Sequence, residues 1–391
     1  MKRRSFLTGA GVVTVLVAGG LAWRAADQGV FEVGEGPAYE PWRNWRSDPA
    51  DGALGLVRAA ILAASPHNTQ PWLFRVAKSS VELYLDTARN VGALDPYLRE
   101  EHIGLGCALE NLMLAAQAGG YDTTLKLFPG KLGPIDPKPK LLARIDLVAG
   151  KQSGSELHDA IPHRHTNRST FLPQKPLPPQ FVEALSRIVG EETGVRIFLF
   201  QTEADRKRIV QASSAANTAL YSDPEVQRGT DPWMRTGWNA LQKRRDGLAI
   251  DNFGESPIAA GVTKMLPAWL LRWAAARAEK TAYADLMLSA PLIGMLAVRD
   301  RYDQEQCLHA GRIWQRAHLL ATARGVAGRP CNEAVELVDR ERALDRPARQ
   351  AALLAGITGD ATWQPTFVFY MGYPTWPAPA SARRPVETVV L

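Results

Sequence analysis

The stretch from Ala59 to Val76, AAILAASPHNTQPWLFRV, holds a short polar loop between two hydrophobic elements. Its first part is rich in Ala, Leu and Ile and predicts a helix. That helix ends at Ser65, because a proline disfavours the helical conformation of the residue before it. After Pro71 the side chains alternate as in a strand. Residues 65–70 are therefore clamped at both ends, as in a binding site for a polar, planar ligand or in an ordinary helix-to-strand turn.

The loop and the tryptophan after it, SPHNTQPW, resemble the flavin-binding segment of the nitroreductase-like FMN flavoproteins. In that family a Pro-Ser-x-x-Asn-x-Gln-Pro-Trp run lines the flavin ring and its ribityl chain. The order Ser-Pro found here is similar to the single-chain, Acg-like FMN-binding branch. The resemblance extends from about residue 53 to the C-terminus and is weakest in the middle of the second half. It implies bound FMN, with cofactor contacts from Ser65, Pro66, His67, Asn68 and Gln70.

Composition and charge distribution argue against a nucleic-acid-binding protein. The 391 residues are 46% hydrophobic and 22% charged, which is typical of a globular chain with two ordinary domains or one large one. The net charge is +6 and the pI about 9.2, but the basic residues are scattered, without a long basic run or zinc-finger spacing. We therefore expect no nucleic-acid partner.

Three cysteines are too few for a disulfide framework. Cys107 falls in an apolar helix, where a core position is the simpler interpretation. A bridge between Cys307 and Cys331 is left open by the sequence.

The N-terminus is typical of an export signal. Arg3-Arg4-Ser5-Phe6-Leu7 fits the twin-arginine pattern R-R-x-F-L, and the uncharged run Gly9–Ala22 is long enough for a signal but short for a membrane span. We expect residues 1–26 to engage the twin-arginine export machinery and to direct the chain to the periplasm or another extracytoplasmic space. The alternatives are a generic export signal or an uncleaved membrane anchor, since Trp23 and Arg24 make a poor cleavage site; transient membrane association through the signal is possible.

The remaining chain divides into a linker or arm at residues 27–52, a first half at 53–150 and a second half at 151–391. Alternation and capping patterns predict one long helix in the first half, which starts at Asp95-Pro96 and stops at Gly119-Gly120. The predicted strands beyond the opening stretch are Val81–Leu85, Thr123–Phe128, Arg144–Val148, Pro291–Val298 and Thr366–Met371.

The two halves are predicted to be copies of one unit. When Glu100–Tyr121 is aligned with Glu305–Val326, Gly106 coincides with Gly311 and Gly120 with Gly325 without a gap. The resembled family usually forms homodimers with flavins at the subunit interface. The resemblance thus implies an α+β fold of two nitroreductase-like halves, each a mainly antiparallel sheet with packed helices, joined as a single-chain pseudo-dimer.

A second cofactor segment opens the second half. His163-Arg164-His165-Thr166-Asn167-Arg168 is similar to the family's Arg-x-Ser-x-Arg phosphate-binding run. Two guanidinium groups and a hydroxyl at alternate positions can converge on one dianion; the alternative is a solvated basic loop. No third ligand accompanies His163 and His165, so we expect no metal. The resemblance implies FMN contacts from Arg164, Thr166 and Arg168.

Two C-terminal segments complete the resemblance. Gly372-Tyr373 is followed, after a Pro-rich stretch, by Arg383-Arg384, as in the family's last phosphate-binding segment. Gly328–Asn332 falls where the family places a loop beside the reactive N5 edge of the flavin. The implied contacts are Asn332, Arg383 and Arg384.

The function implied is FMN-dependent oxidoreduction, with electrons or hydride passing through the flavin to a small quinone or nitro compound. No catalytic triad or carboxylate pair is found, and the electron donor and physiological substrate stay unknown. The alternative is a non-catalytic protein that stores or sequesters FMN. A helical insertion at about residues 204–283 is interpreted as a stability or interaction element, or as a lid over the flavin. Because each half carries cofactor segments that the other lacks, we expect one FMN per chain.

Overall fold

The computed structural model describes residues 20–46, 52–133, 138–190, 194–267 and 283–391. The predicted twin-arginine pair and the uncharged run as far as residue 19 lie outside these ranges, as do Trp269 and Trp273 of the predicted insertion. Residues 20–27 are helical, and the Arg24 guanidinium donates to the backbone carbonyl groups of Met265 and Leu266. The end of the segment assigned to the signal is therefore in contact with the body of the protein.

The first half is built on a four-stranded antiparallel sheet. Its strands are β1 (Trp72–Ala77), β2 (Ser80–Leu85), β3 (Tyr121–Leu127) and β4 (Lys140–Ala149), in the order β1-β2-β4-β3. Alternating burial explains its formation, since Trp72 and Phe74 are fully buried on one face of β1. Helix α1 (Glu40–Arg43) lies in the arm and α2 (Ala53–Ala60) precedes the polar loop. The long helix α3 (Arg99–Ala118) joins β2 to β3.

The second half begins with two short helices, α4 (Glu156–Ala160) and α5 (Pro179–Ser186), and strand β5 (Val195–Phe200). The predicted insertion follows and is mostly helical. It contains α6 (Glu203–Tyr221), α7 (Pro224–Thr230), β6 (Met234–Arg235), α8 (Trp238–Arg244), β7 (Leu248–Ala249), α9 (Pro257–Met265) and α10 (Tyr283–Leu288).

The second sheet is also antiparallel. It contains β5 together with β8 (Leu292–Val298), β9 (Ala327–Pro330) and β10 (Gln364–Gly372), in the order β5-β8-β10-β9. Every residue of its inner strand β8 is buried, which explains the unbroken apolar run LIGMLAV. The remaining elements are the helices α11 (Gln304–Ala323), α12 (Glu333–Ala343) and α13 (Arg349–Thr358). The predicted α+β class with antiparallel sheets is confirmed.

The two sheets have the same strand order when β1, β2, β3 and β4 are matched with β5, β8, β9 and β10. The long helices α3 and α11 each have 20 residues and occupy the same place in the two topologies. They cross at Gly106 and Gly311, where a Cβ atom built on either glycine would lie 2.9 Å from the Cα atom of the other. This reciprocal contact is what a two-fold relation between the halves requires, and it agrees with the predicted duplication.

The start of α3 differs from the sequence prediction. The helix begins at Arg99, beyond Pro96, and the residue before it, Leu98, has a left-handed φ of 59°. Asp95 still caps the helix from a distance, because its carboxylate accepts hydrogen bonds from the backbone N–H groups of Arg99, Glu100 and Glu101. The prediction that Pro96 lies in the first turn of the helix was therefore wrong, whereas the prediction that Asp95 caps the helix is confirmed.

No helix within the described residues has both the length and the apolar character needed to cross a membrane.

Candidate functional site

The polar loop between α2 and β1 has an unusual backbone. His67, Asn68 and Gln70 have positive φ angles of 44°, 56° and 53°. Each such residue costs on the order of 1–3 kcal/mol and persists only where surrounding contacts hold it. The loop is therefore fixed by the rest of the protein.

The carboxamide of Asn68 provides one set of these contacts. Its nitrogen donates to the carbonyl groups of Gly247 (3.0 Å) and Ala382 (2.9 Å), and its oxygen accepts from Arg383 (2.7 Å). Gln70 provides the second set, since it donates to the Arg245 carbonyl and accepts from the Arg384 backbone N–H. These predicted flavin ligands thus bond to other parts of the chain.

A buried cationic cluster lies behind the loop. Arg164 and Arg383 are 2% and 1% exposed, and both donate to the Leu62 carbonyl just beyond α2. His318 lies 3.4 Å from Arg164 (Nδ1 to Nη1), and His165 is the fourth member. In all four side chains one ring or guanidinium nitrogen is buried without a hydrogen-bond partner: Arg164 Nε, His165 Nδ1, His318 Nε2 and Arg383 Nε.

The pKa values of this cluster are all lowered. Burial lowers the pKa of Arg164 to about 10, and burial together with Arg164 lowers that of Arg383. Burial and the charge of Arg164 lower the pKa of both histidines, that of His165 to about 3, so the two arginines carry the positive charge of the cluster at pH 7. Within the described part of the chain neither arginine has a carboxylate partner. Buried cations without an anion are costly, so a bound dianion such as a phosphate would stabilise this cluster.

Beside the cluster is a cavity of about 250 Å³, a little below the range of roughly 300–1,000 Å³ that is usual for small-molecule sites. Both halves and the insertion contribute to its wall. Six of the predicted cofactor residues line it: Ser65, Pro66, His67, Thr166, Arg168 and Asn332. The other five, Asn68, Gln70, Arg164, Arg383 and Arg384, do not line the cavity and instead hold its loop or form the cationic cluster beside it.

One part of the cavity wall is cationic. Arg168 donates to the Asn252 carbonyl, and burial together with Arg329 lowers the pKa of Arg168 to about 10. Burial and the charge of Arg168 lower the pKa of His67 to about 4, so this histidine is neutral at pH 7. Arg329 was not predicted as a site residue, although it falls in the Gly328–Asn332 segment that the sequence singled out.

Another part of the wall carries three carboxyl groups that no sequence pattern connects: Glu100 from α3, and Glu333 and Glu336 from α12. Glu100 is paired with Arg99 at 3.2 Å, and its burial raises its pKa to about 8. Glu333 accepts a 2.6 Å hydrogen bond from the Tyr283 hydroxyl.

Cys331 lies just behind this wall. Its thiol is 2.8 Å from the Tyr283 hydroxyl and 3.2 Å from Glu333, and burial raises its pKa. It is therefore an un-ionised thiol at pH 7. All three cysteines are buried and free, so Cys307 and Cys331 are not bridged. Within the described ranges, no group of three or more His, Cys, Asp or Glu side chains could hold a metal ion.

The insertion covers one side of the cavity through Asn217 and Tyr221 of α6, Leu248 of β7 and Phe253. Gly254 packs directly on the peptide between Arg168 and Ser169, at a φ of 82° that suits glycine. The insertion thereby contacts the cationic part of the wall.

No family model matches the chain. It is similar to two proteins of Mycobacterium tuberculosis. It is 32% identical over 141 residues to "Putative NAD(P)H nitroreductase Rv3131", which is 35% of this chain and 38% of that protein. It is 33% identical over 124 residues to "Putative NAD(P)H nitroreductase acg", or 31% and 36% of the two chains. The chain spans less than two fifths of the length of these curated relatives.

Among solved structures, the FMN-dependent nitroreductase NfnB of Mycobacterium smegmatis, in complex with NADPH, is 18% identical over 60% of this chain and 91% of its own, with a TM-score of 0.35. A nitroreductase with bound FMN from Desulfitobacterium hafniense is 10% identical over 59% and 95%, with a TM-score of 0.34. Scores this low do not define which residues correspond.

Proposed function

We propose that this protein is an FMN-dependent oxidoreductase that passes electrons or hydride to a small acceptor of the quinone or nitro class. The observation that carries the proposal is the buried cationic cluster of Arg164, Arg383, His165 and His318, which has no anion among the described residues and adjoins a cavity. Sequence similarity to proteins named as NAD(P)H nitroreductases supports the redox class.

The residues present fit FMN. The phosphate would be held by Arg164 and Arg383, which lie behind the cavity wall and whose Nε–H groups have no partner among the described residues, while Thr166, Arg168 and Asn332 line the cavity itself. Trp314, which also lines the cavity, packs on His318 with ring centroids 4.8 Å apart and so joins the cavity to the cluster. When bound, FMN would supply hydride and electron transfer, and the protein would supply orientation and electrostatics.

The chain's own groups have three tasks in this proposal. The strained loop from Ser65 to Gln70 is rigid enough to fix the position of a ligand without rearrangement. Arg168 and Arg329 create a positive field at their part of the cavity wall, where it favours electron-rich, partly anionic groups. The insertion residues that line the cavity limit the access of water.

Storage or sequestration of FMN is the second candidate, because the insertion contributes Tyr221, Leu248 and Phe253 to the cavity wall and a wall of this kind also restricts the access of a substrate. The two functions differ in how fast the reduced flavin gives up its electrons.

The function is tested by reducing the purified, FMN-loaded protein anaerobically with dithionite and mixing it with quinones and nitroarenes. We expect at least one acceptor to reoxidise the bound flavin much faster than it reoxidises free FMN under the same conditions. Reoxidation no more than a few-fold above that of free FMN, for every acceptor, would contradict the enzyme and favour storage.

We also expect one FMN per chain. The loop that contains Ser65 and the segment that contains Arg164 and Arg168 each occur once, so the two halves together build one site rather than two. Flavin absorbance after denaturation, divided by protein from amino-acid analysis, measures the ratio on FMN-saturated material. A ratio near two would mean that both halves kept a site, and a ratio near zero would remove the flavoprotein proposal.

A further inference from the structure

Glu336 is a buried carboxyl group without a partner. It lies one turn into α12, is 7% exposed and lines the cavity. Within the described residues its side chain makes no hydrogen bond and no ion pair, in contrast to the other two carboxyl groups of the wall. A buried, unpaired carboxylate is costly, so this position either holds a proton or awaits a cation.

The neighbouring arginine does not compensate Glu336. Arg99 is fully buried and donates its Nε to Asp339 (2.6 Å), one Nη to the Thr366 carbonyl and the other to Glu100 (3.2 Å). Arg301, near the same aspartate, is 3.9 Å from Asp339. Arg99 is thus committed to other acceptors, and no cation among the described residues forms an ion pair with Glu336.

Aromatic rings border the same space. Trp314, Phe367 and Tyr283 line the cavity, and Trp314 and Phe367 lie with centroids 5.0 Å apart. The faces of aromatic rings attract cations, especially where water is excluded. Carboxyl groups and aromatic rings together are the surroundings that a planar organic cation prefers.

We infer that the acidic part of the cavity, away from Arg168 and Arg329, binds a small organic cation bearing an amidinium or ammonium group, with Glu336 as its ion-pair partner and Glu100 as a second acceptor. Binding of the cation does not depend on the proposed function, because it requires no flavin. Only the step that identifies the cation as the electron acceptor rests on the proposed function. It narrows the substrate class to compounds that carry a positive charge beside the reducible group.

Proton exchange should accompany this binding. Burial and the nearby carboxyl groups Glu100, Glu333 and Asp95 raise the pKa of Glu336, while Arg99 opposes the shift. In the empty cavity the protonated form is therefore favoured, whereas a bound cation favours the carboxylate. Binding should release a proton and become tighter as the pH rises.

The test compares benzamidinium with benzamide, which have nearly the same shape but differ in charge. Isothermal titration calorimetry on the full-length protein, with and without saturating FMN, gives the two Kd values. Repeating the benzamidinium titration in buffers with different ionisation enthalpies gives the number of protons released. We expect benzamidinium to bind about 10-fold or more tightly than benzamide, in line with a hydrogen bond to a charged group, with proton release.

Glu336→Gln should abolish both the preference and the proton release. Glu387→Gln, at an exposed site away from the cavity, should keep both. Equal affinities in the wild-type protein would overturn the inference even if the variant did not fold, as would a preference retained in Glu336→Gln. Cation preference in a protein that takes up no FMN would contradict the proposed function alone. Normal FMN uptake without any preference would contradict this inference alone.

Discussion

Replacing Arg164 with Ala should weaken FMN binding by about 10- to 100-fold and leave riboflavin binding nearly unchanged. A hydrogen bond to a charged group contributes roughly 1.5–3 kcal/mol net, and about 1.4 kcal/mol is tenfold in affinity. Riboflavin lacks the phosphate, so it does not use the cationic cluster. Kd values for both ligands follow from the quenching of flavin fluorescence on titration with apoprotein.

Two controls separate phosphate binding from folding. Arg187→Ala removes an exposed arginine that is paired with Glu183, and it should change neither affinity. Arg383→Ala should weaken both ligands, because Arg383 also holds Asn68 and the carbonyl groups of Leu62 and Ala63. If Arg164→Ala lowers the affinity for riboflavin as much as that for FMN, Arg164 supports the fold and not the phosphate.

Strands β1–β4, β8 and β10, the long helix α3 and the position of the polar loop could be predicted from the sequence, because they depend on local periodicity and on prolines. Strands β5 and β9 were not predicted. The roles of Asn68 and Gln70 could not be predicted. Their carboxamide groups bond to carbonyl groups at Gly247, Ala382 and Arg245, which belong to segments far away in the chain. A resemblance marks such residues as important but does not distinguish a ligand contact from a contact that holds the loop.

The acidic wall was missed for a related reason. Glu100 and Glu336 lie on separate helices, and each looks like an ordinary surface position of an amphipathic helix. Only the packing of α12 near α3 brings both to one cavity and leaves Glu336 without a partner. In contrast, Arg329 lies within the Gly328–Asn332 segment that the resemblance had already marked, so it could have been predicted as a site residue from the sequence.

The two glycines of the helix crossing were visible in the sequence as a repeat, but their physical reason was not. A Cβ atom on Gly106 would overlap the backbone carbonyl group of Leu308, and a Cβ atom on Gly311 would overlap that of Ile103. Backbone atoms of a packed helix cannot move aside as a side chain can. The crossing of α3 and α11, which joins the two halves, therefore depends on the absence of side chains at both positions.

Gly106→Ala should accordingly lower the free energy of unfolding, although alanine is the better helix former. Overpacking of this kind typically costs about 1–3 kcal/mol, against a gain of roughly 0.5–1 kcal/mol from helix propensity. Gly356→Ala on α13 is the matched control, because nothing lies within 4 Å of the Cβ atom that it would add. It should stabilise the protein. Urea unfolding of the three proteins, followed by circular dichroism, gives the comparison.

The reciprocal contact also predicts how the effects of two substitutions on the free energy of unfolding combine. Gly311→Ala alone should destabilise by an amount similar to that of Gly106→Ala. The double variant should cost less than the sum of the two, because once one alanine has forced the helices apart, the second finds room already made. Strict additivity would mean that the two glycines do not share one contact. A Gly106→Ala variant as stable as Gly356→Ala would mean that α3 and α11 do not cross at these residues, and the close joining of the halves would have to be abandoned.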